Sequence, residues 1–138
     1  MNVILCADDR DGLMFGGRRQ SRDRAVIEDI GDLTRGCRFL MNRYSDKMFA
    51  GYGSENHETF EDTEEMLNAA GRGDFCFVED AFPEHFREKI ERIVIYRWNR
   101  HYPSDEKIGH DFLAGRKLRE RVDFAGNSHE KITREIYE

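Results

Sequence analysis

Five arginines carry most of the chemistry legible in this chain. Four of them, Arg18, Arg19, Arg22 and Arg24, crowd into the run Arg18-Arg19-Gln20-Ser21-Arg22-Asp23-Arg24. The fifth, Arg43, stands just before Ser45. Guanidinium groups at a helix start make an anion receptor, because bidentate donors and the helix dipole act in the same direction. Two such helix starts, one at Arg22 and one at Arg43 and Ser45, would flank a single cleft with positive rims. The chemistry implied is binding of a phosphate-bearing ligand. The competing reading is a solvated charge run paired with Asp8, Asp9, Asp11 and Asp23. Other chemistries find little support. His101, His110 and His129 are scattered, and no His-x-His, His-x-x-x-His or Cys-x-x-Cys spacing occurs, so no metal site is expected. A ribonuclease using a His-x-His-x-Asp-His metal motif is excluded on the same ground. Ser/His/Asp nucleophile motifs, a Walker loop and a Gly-x-Gly-x-x-Gly fingerprint are absent, and Gly51-Tyr52-Gly53 is too sparse to count.

The elements that must position these residues follow from apolar pattern and turn chemistry. Val3–Ala7 is a continuous apolar run ending in Asp8-Asp9, as suits a buried central strand. Gly12, Gly16 and Gly17 mark a loop, and Ser21 is placed to cap a helix whose apolar positions are Val26, Ile27, Ile30 and Leu33. Gly36 ends that helix. Cys37–Met41 reads as the next strand and Ser45–Phe49 as a short helix. Residues 50–62 lack any period and form the expected mobile segment. A capped helix over Thr63–Ala70, a strand over Phe75–Val78, a helix over Pro83–Glu91 and a strand over Ile93–Tyr96 follow. Arg116–Phe124 and Lys131–Tyr137 read as an antiparallel hairpin turning at Gly126-Asn127. The fold class expected is α/β: a mostly parallel sheet flanked by helices, closed by a C-terminal antiparallel hairpin, in a single domain over residues 1–138.

Composition narrows the partners. The chain has 138 residues, 38% hydrophobic and 36% charged, with a formal net charge of −6. That length supports one core, and the acidic balance argues against nucleic acid as a partner. Three cysteines, Cys6, Cys37 and Cys76, each sit in an apolar run and read as reduced core thiols. Met1–Ala7 is too short and lacks the basic start of a signal peptide, and no apolar run is of membrane length. A soluble, cytoplasmic protein with no membrane contact is expected. Trp98, with Tyr96, Tyr102 and Pro103, forms an aromatic group after the fourth strand, either stacking a ring or, the preferred reading, plugging the end of the sheet. The acidic stretch Glu58–Glu65 reads as a solvated loop and helix start.

The element order and several segments resemble dihydrofolate reductase. The matching residues are Thr34-Arg35-Gly36, Phe39-Leu40-Met41 and Asn42-Arg43-Tyr44-Ser45, with Ile93–Tyr96 and the terminal hairpin in similar places. The resemblance implies that Asn42, Arg43 and Ser45 bind cofactor phosphates, of NADP or another nucleotide, with Arg22 on the facing rim. The departures are equally specific. Val26 falls where the family carries its catalytic carboxylate. Asp23 and Glu28 lie nearby, but helical rotation points neither at the same spot. Glu79-Asp80 replaces the glycine pair that lets the cofactor approach the backbone, and carboxylates there repel pyrophosphate. Gln20-Ser21 replaces a Pro-Trp pair. The strand after the second helix is expected to be missing.

Three functions remain open from the sequence. The first is a repurposed, non-catalytic binder of a nucleotide or other phosphate-bearing small molecule in the old cleft. The second is an NADPH-dependent reductase of a pteridine-like substrate whose acid has moved to Asp23 or Glu28. The third is a small regulator or inhibitor that contacts a protein partner.

Overall fold

Alternation along the first strand organises the molecule. In the computed structural model, which describes residues 1–50 and 57–138, β1 (Asn2–Ala7) is buried along its length. Val3 and Leu5 point to one face, with Met66, Leu67, Ile93 and Ile95. Ile4 points to the other, with Val26, Ile27, Ile30, Phe39, Phe77, Val94 and Trp98. A strand covered on both faces has to be apolar throughout, which is why this run lacks the polar alternation of a half-exposed strand.

Around β1 lie β4 (Phe39–Asn42), β5 (His57–Phe60), β6 (Phe75–Phe77), β7 (Arg92–Arg97), β9 (Leu118–Phe124) and β10 (Ile132–Tyr137). The sheet order is β5-β4-β6-β1-β7-β10-β9. The first five pair in parallel, and β10 runs antiparallel to both β7 and β9. A smaller sheet, β3-β2-β8, joins β2 (Gly12–Phe15), β3 (Arg18–Arg19) and β8 (Glu106–Lys107). The helices are α1 (Arg24–Leu33), α2 (Arg43–Phe49) and α3 (Thr63–Ala69), with a 3-10 turn over Glu84–Lys89.

The α/β class, the parallel core and the terminal hairpin are as expected, whereas several local readings change. The cap of α1 is Asp23 and not Ser21: its backbone is extended (φ −150°, ψ 129°) and its carboxylate accepts the Ala25 N–H at 2.8 Å. The helix closes at Leu33, and Gly36 supplies a left-handed turn (φ +78°) two residues after the Thr34 cap. The segment Pro83–Glu91 forms a 3-10 turn in place of an α-helix. The strand expected to be missing is present as β5, in parallel register with β4 from Phe39↔His57 to Asn42↔Phe60. It escapes a reading by pattern because it is a short edge strand, His-Glu-Thr-Phe, whose one strongly apolar side chain is Phe60. The expected mobile segment lies partly outside the described residues; its later part is β5 and the Asp62 cap of α3.

Candidate functional site

The strand order switches sides at β1. The connection through α1 leads to β4 on one side, and the one after β6 crosses to β7 on the other. Ligands in open α/β sheets collect beyond the carboxyl ends of strands at such a point. Here those ends frame a small cavity with about 10 Å³ of free space, room for a single water. Cys6, Val26 and Trp98 line its apolar side; Ser21, Asp23 and Glu79 bring polar atoms to it.

Two carboxylates fix the loop that roofs this cavity. Asp8, fully buried at the end of β1, accepts the N–H groups of Gly12 (2.7 Å), Arg10 (2.9 Å) and Tyr102 (3.1 Å) and the Gln20 amide (3.1 Å). Burial alone would raise its pKa, but these donors outweigh it and hold the carboxyl below its usual range. Gly12 is required there, since a Cβ would sit 2.8 Å from Ser104 Cβ and 2.9 Å from Asp8 Oδ1. Glu79, beyond β6, forms a bidentate pair with Arg19 (2.7 and 3.0 Å) and accepts the Ser45 hydroxyl at 2.7 Å. Arg19 also stacks on Tyr44, with its guanidinium carbon 4.4 Å from the ring centre. Cys6 sits against this pair. Burial first, then the Glu79 charge, pushes its thiol far above the usual range, so it stays protonated.

The third carboxylate ties the two ends of the chain. Asp23 is buried and accepts the backbone N–H groups of Asn127 (2.8 Å), Ser128 (2.9 Å) and His129 (3.1 Å), besides capping α1. The His129 ring meets it through Nδ1 at 2.9 Å. Desolvation opposes ionisation, but donors from Asn127, His129, Ala25 and Ser128 prevail and keep Asp23 ionised well below the ordinary carboxylate range. In the neutral tautomer with its proton on Nδ1, facing Asp23, Nε2 is an acceptor. It lies 3.2 Å from Ser21 Oγ and 2.9 Å from Tyr102 Oη. Trp98 stacks on the imidazole at 4.8 Å between ring centres. Trp98 is therefore a buried plug, as in the preferred reading, and its face is engaged by His129.

The residues singled out by sequence divide between two places. Asp23 lines the same cavity as Val26, against the helical-rotation expectation, because a cap stands outside the helix and its extended backbone redirects the side chain. Glu28 lies on the exposed face of α1, 3.7 Å from Arg24. Arg22 and Arg24, with Asp23, Ile27, Asn127 and Ser128, line an adjoining groove of about 320 Å³. At the other helix start, Asn42 caps α2 by accepting the Ser45 N–H at 2.8 Å and donates to Thr63 at 3.2 Å. Arg43 is exposed and paired with Glu61, and Ser45 is buried against Glu79. Sequence reasoning misses His129 and Tyr102 as site residues. Their partners are far away in sequence, 106 positions for His129 and Asp23, and no local motif signals the pairing.

No group of three or more His, Cys, Asp or Glu arranged to hold a metal occurs among the described residues. Nor is any of the described helices long and apolar enough to cross a membrane. No family model matches the chain, and no curated protein matches it. Among solved structures it is similar to dihydrofolate reductase from Enterococcus faecalis complexed with NADP(H) and RAB-propyl. The TM-score is 0.67 at 11% identity, covering 99% of this chain and 94% of that one. At this identity the likeness establishes the fold: a dihydrofolate-reductase-like α/β sheet with a terminal antiparallel strand pair.

Proposed function

We propose that this protein, acting as one domain over residues 1–138, binds a phosphate-bearing small molecule at the arginine-rimmed groove beside the cavity and no longer performs the hydride transfer of the reductases it resembles. The carrying observation is the groove between Arg22 and Arg24. Its volume of about 320 Å³ lies in the range of small-molecule sites. Arg24 has only a long contact with Glu28, and Arg22 has no carboxylate within ion-pair distance among the described residues. Asn127 and Ser128 complete the lining, the Ser128 hydroxyl lying 3.2 Å from the Arg22 carbonyl oxygen.

The engaged state of the other helix start supports the loss of reductase chemistry. A dinucleotide phosphate at α2 would compete with the Arg43–Glu61 pair, with Asn42 as a cap and with the buried Ser45–Glu79 contact. Glu79 stands where the resembled family has a glycine pair, and its side chain, already paired with Arg19 and Ser45, fills the place of close backbone approach. A cytoplasmic location goes with this reading, since all three cysteines are free thiols.

Thermal-shift and calorimetric titration in phosphate-free buffer test the proposal, using pyrophosphate, ADP-ribose, NADP, NADPH and cyclic nucleotides as probes. A ligand at a hundred times its Kd stabilises by about 2.7 kcal/mol, which reads as a clear rise in Tm. The rise is expected to vanish in Arg22→Ala/Arg24→Ala. A response to none of these probes ends the reading. NADPH consumption with dihydrofolate or a related pterin would favour the reductase, and capture of a protein through residues remote from the groove would favour the regulator.

A further inference from the structure

From the juxtaposition of Ser21, His129 and Asp23 we infer a serine-nucleophile site that hydrolyses esters of short acyl groups. This goes beyond the binding reading and does not depend on the arginine groove.

Three observations carry it. The imidazole bridges the hydroxyl and the carboxylate through its two nitrogens, at 3.2 Å to Ser21 Oγ and 2.9 Å to Asp23 Oδ2. This is the order of roles that activates a serine: a nucleophile, a general base, and a carboxylate that fixes the tautomer and stabilises the imidazolium. The arrangement is also held rigidly. Asp23 is anchored by backbone donors from two segments, and His129 is clamped against Trp98 and almost wholly shielded. Finally, Ser21 and Asp23 line the cavity at the carboxyl ends of the strands, where a substrate would enter. Its free space of about 10 Å³, enough for one water, means that the walls must give to admit a substrate and that the smallest acyl groups are favoured.

Tyr102 adds a control on the base. Nε2 has one lone pair, so the Ser21 and Tyr102 hydroxyls cannot both donate to it at once. In the resting geometry Tyr102 is the closer, at 2.9 Å. A substrate carbonyl that draws the Tyr102 hydroxyl onto its oxygen releases the lone pair to Ser21. The reaction then runs in two steps. Ser21 Oγ bonds to the ester carbonyl carbon while its proton passes to His129 Nε2. The adduct collapses, the bond from that carbon to the alcohol oxygen breaks, and the Nε2 proton goes to the departing alkoxide. Water next adds to the acyl carbon and gives a proton to Nε2. Expulsion of Ser21 Oγ, which takes that proton back, frees the carboxylic acid. One ester and one water become one acid and one alcohol. Ser21 and His129 are the catalytic residues, and Asp23 is a positioning residue acting through His129.

The test combines a fluorophosphonate probe, mapped by mass spectrometry, with hydrolysis of p-nitrophenyl acetate and butyrate. The wild type is expected to carry the phosphonyl group on Ser21 and to cleave the acetate faster than the butyrate. Ser21→Ala abolishes the adduct, and His129→Gln lowers the acetate rate by about 10²-fold or more. Asp23→Asn, assayed at a temperature where circular dichroism shows it folded, lowers kcat with KM unchanged. Ser21→Cys gives a readout free of turnover: its alkylation by iodoacetamide at neutral pH is at least tenfold faster than in Ser21→Cys/His129→Gln. No adduct on Ser21 in folded wild type, equal esterase rates in wild type and Ser21→Ala, or equal alkylation of the two cysteine variants would each overturn the inference.

Discussion

Replacing Asp23 by alanine removes the contact that joins the start of α1 to the loop before β10. The cap on α1 is worth about 1 kcal/mol. The N–H groups of Asn127, Ser128 and His129 would then lack their acceptor, at about 1–3 kcal/mol for each that stays buried. The loop will relax towards water at some of these positions, so the effects do not add, and a total near 3–5 kcal/mol is expected. For a chain of this size that is a large share of a stability of about 5–15 kcal/mol. It corresponds to a fall in Tm of roughly 10–15 °C. An amide in place of the carboxylate retains one acceptor oxygen, so Asp23→Asn should lose about half as much. The sign of the pH dependence follows from the depressed folded pKa of Asp23. Its contribution is complete above the unfolded carboxylate value of about 3.9 and is lost as pH falls from there through the folded value. Urea denaturation of wild type, Asp23→Ala and Asp23→Asn at several pH values between about 6 and 2.5 measures both effects. The wild type should lose stability more steeply below about pH 4 than Asp23→Ala. A loss under about 1 kcal/mol for the alanine variant, or parallel acid slopes, would refute this account of the loop.

Gly126→Ala tests the same junction by sterics. An added Cβ would lie 2.5 Å from the His129 carbonyl oxygen and 2.8 Å from Asp23 Oδ2, so a backbone shift is unavoidable and about 2–3 kcal/mol of stability should go. Chemical denaturation reads it, and a neutral effect would mean that the loop is softer than these contacts require. For the Arg19–Glu79 pair, Glu79→Leu leaves a half-buried guanidinium without its carboxylate and should cost about 2–3 kcal/mol. Arg19→Met/Glu79→Leu should recover much of that loss, and a double-mutant cycle with no coupling would show the pair to be idle.

How legible the fold is depends on how much each segment says alone. Val3–Ala7, Phe75–Val78 and Ile93–Tyr96 are buried on both faces, so their composition betrays them. Val26, Ile27 and Ile30 betray α1 by spacing. The short strands β2, β3, β5 and β8 are not recognisable: each is two to four residues long, too short to show a period, and only β2 contributes strongly to the core, through Leu13 and Met14. In the site, Arg22 and Arg24 stand out because charge density is local. Asp23 is visible as a candidate but its direction is not, since whether it sits inside or just before the helix decides where its carboxylate points. His129 reads as a scattered histidine. Its role depends on a chain reversal through β9 and β10 that brings it to the beginning of α1.

That reversal has a consequence for biogenesis. The imidazole meets a hydroxyl 108 positions earlier in the chain, so it cannot arrive until nearly all the intervening polypeptide has been made. The strands that surround β1 on one side, and the helices between them, can pack while synthesis is under way. Docking of β10 against β7 has to follow. A nascent chain that has its layers but not yet this last strand lacks His129 beside Ser21, so the proposed site can form only after the hairpin has been made.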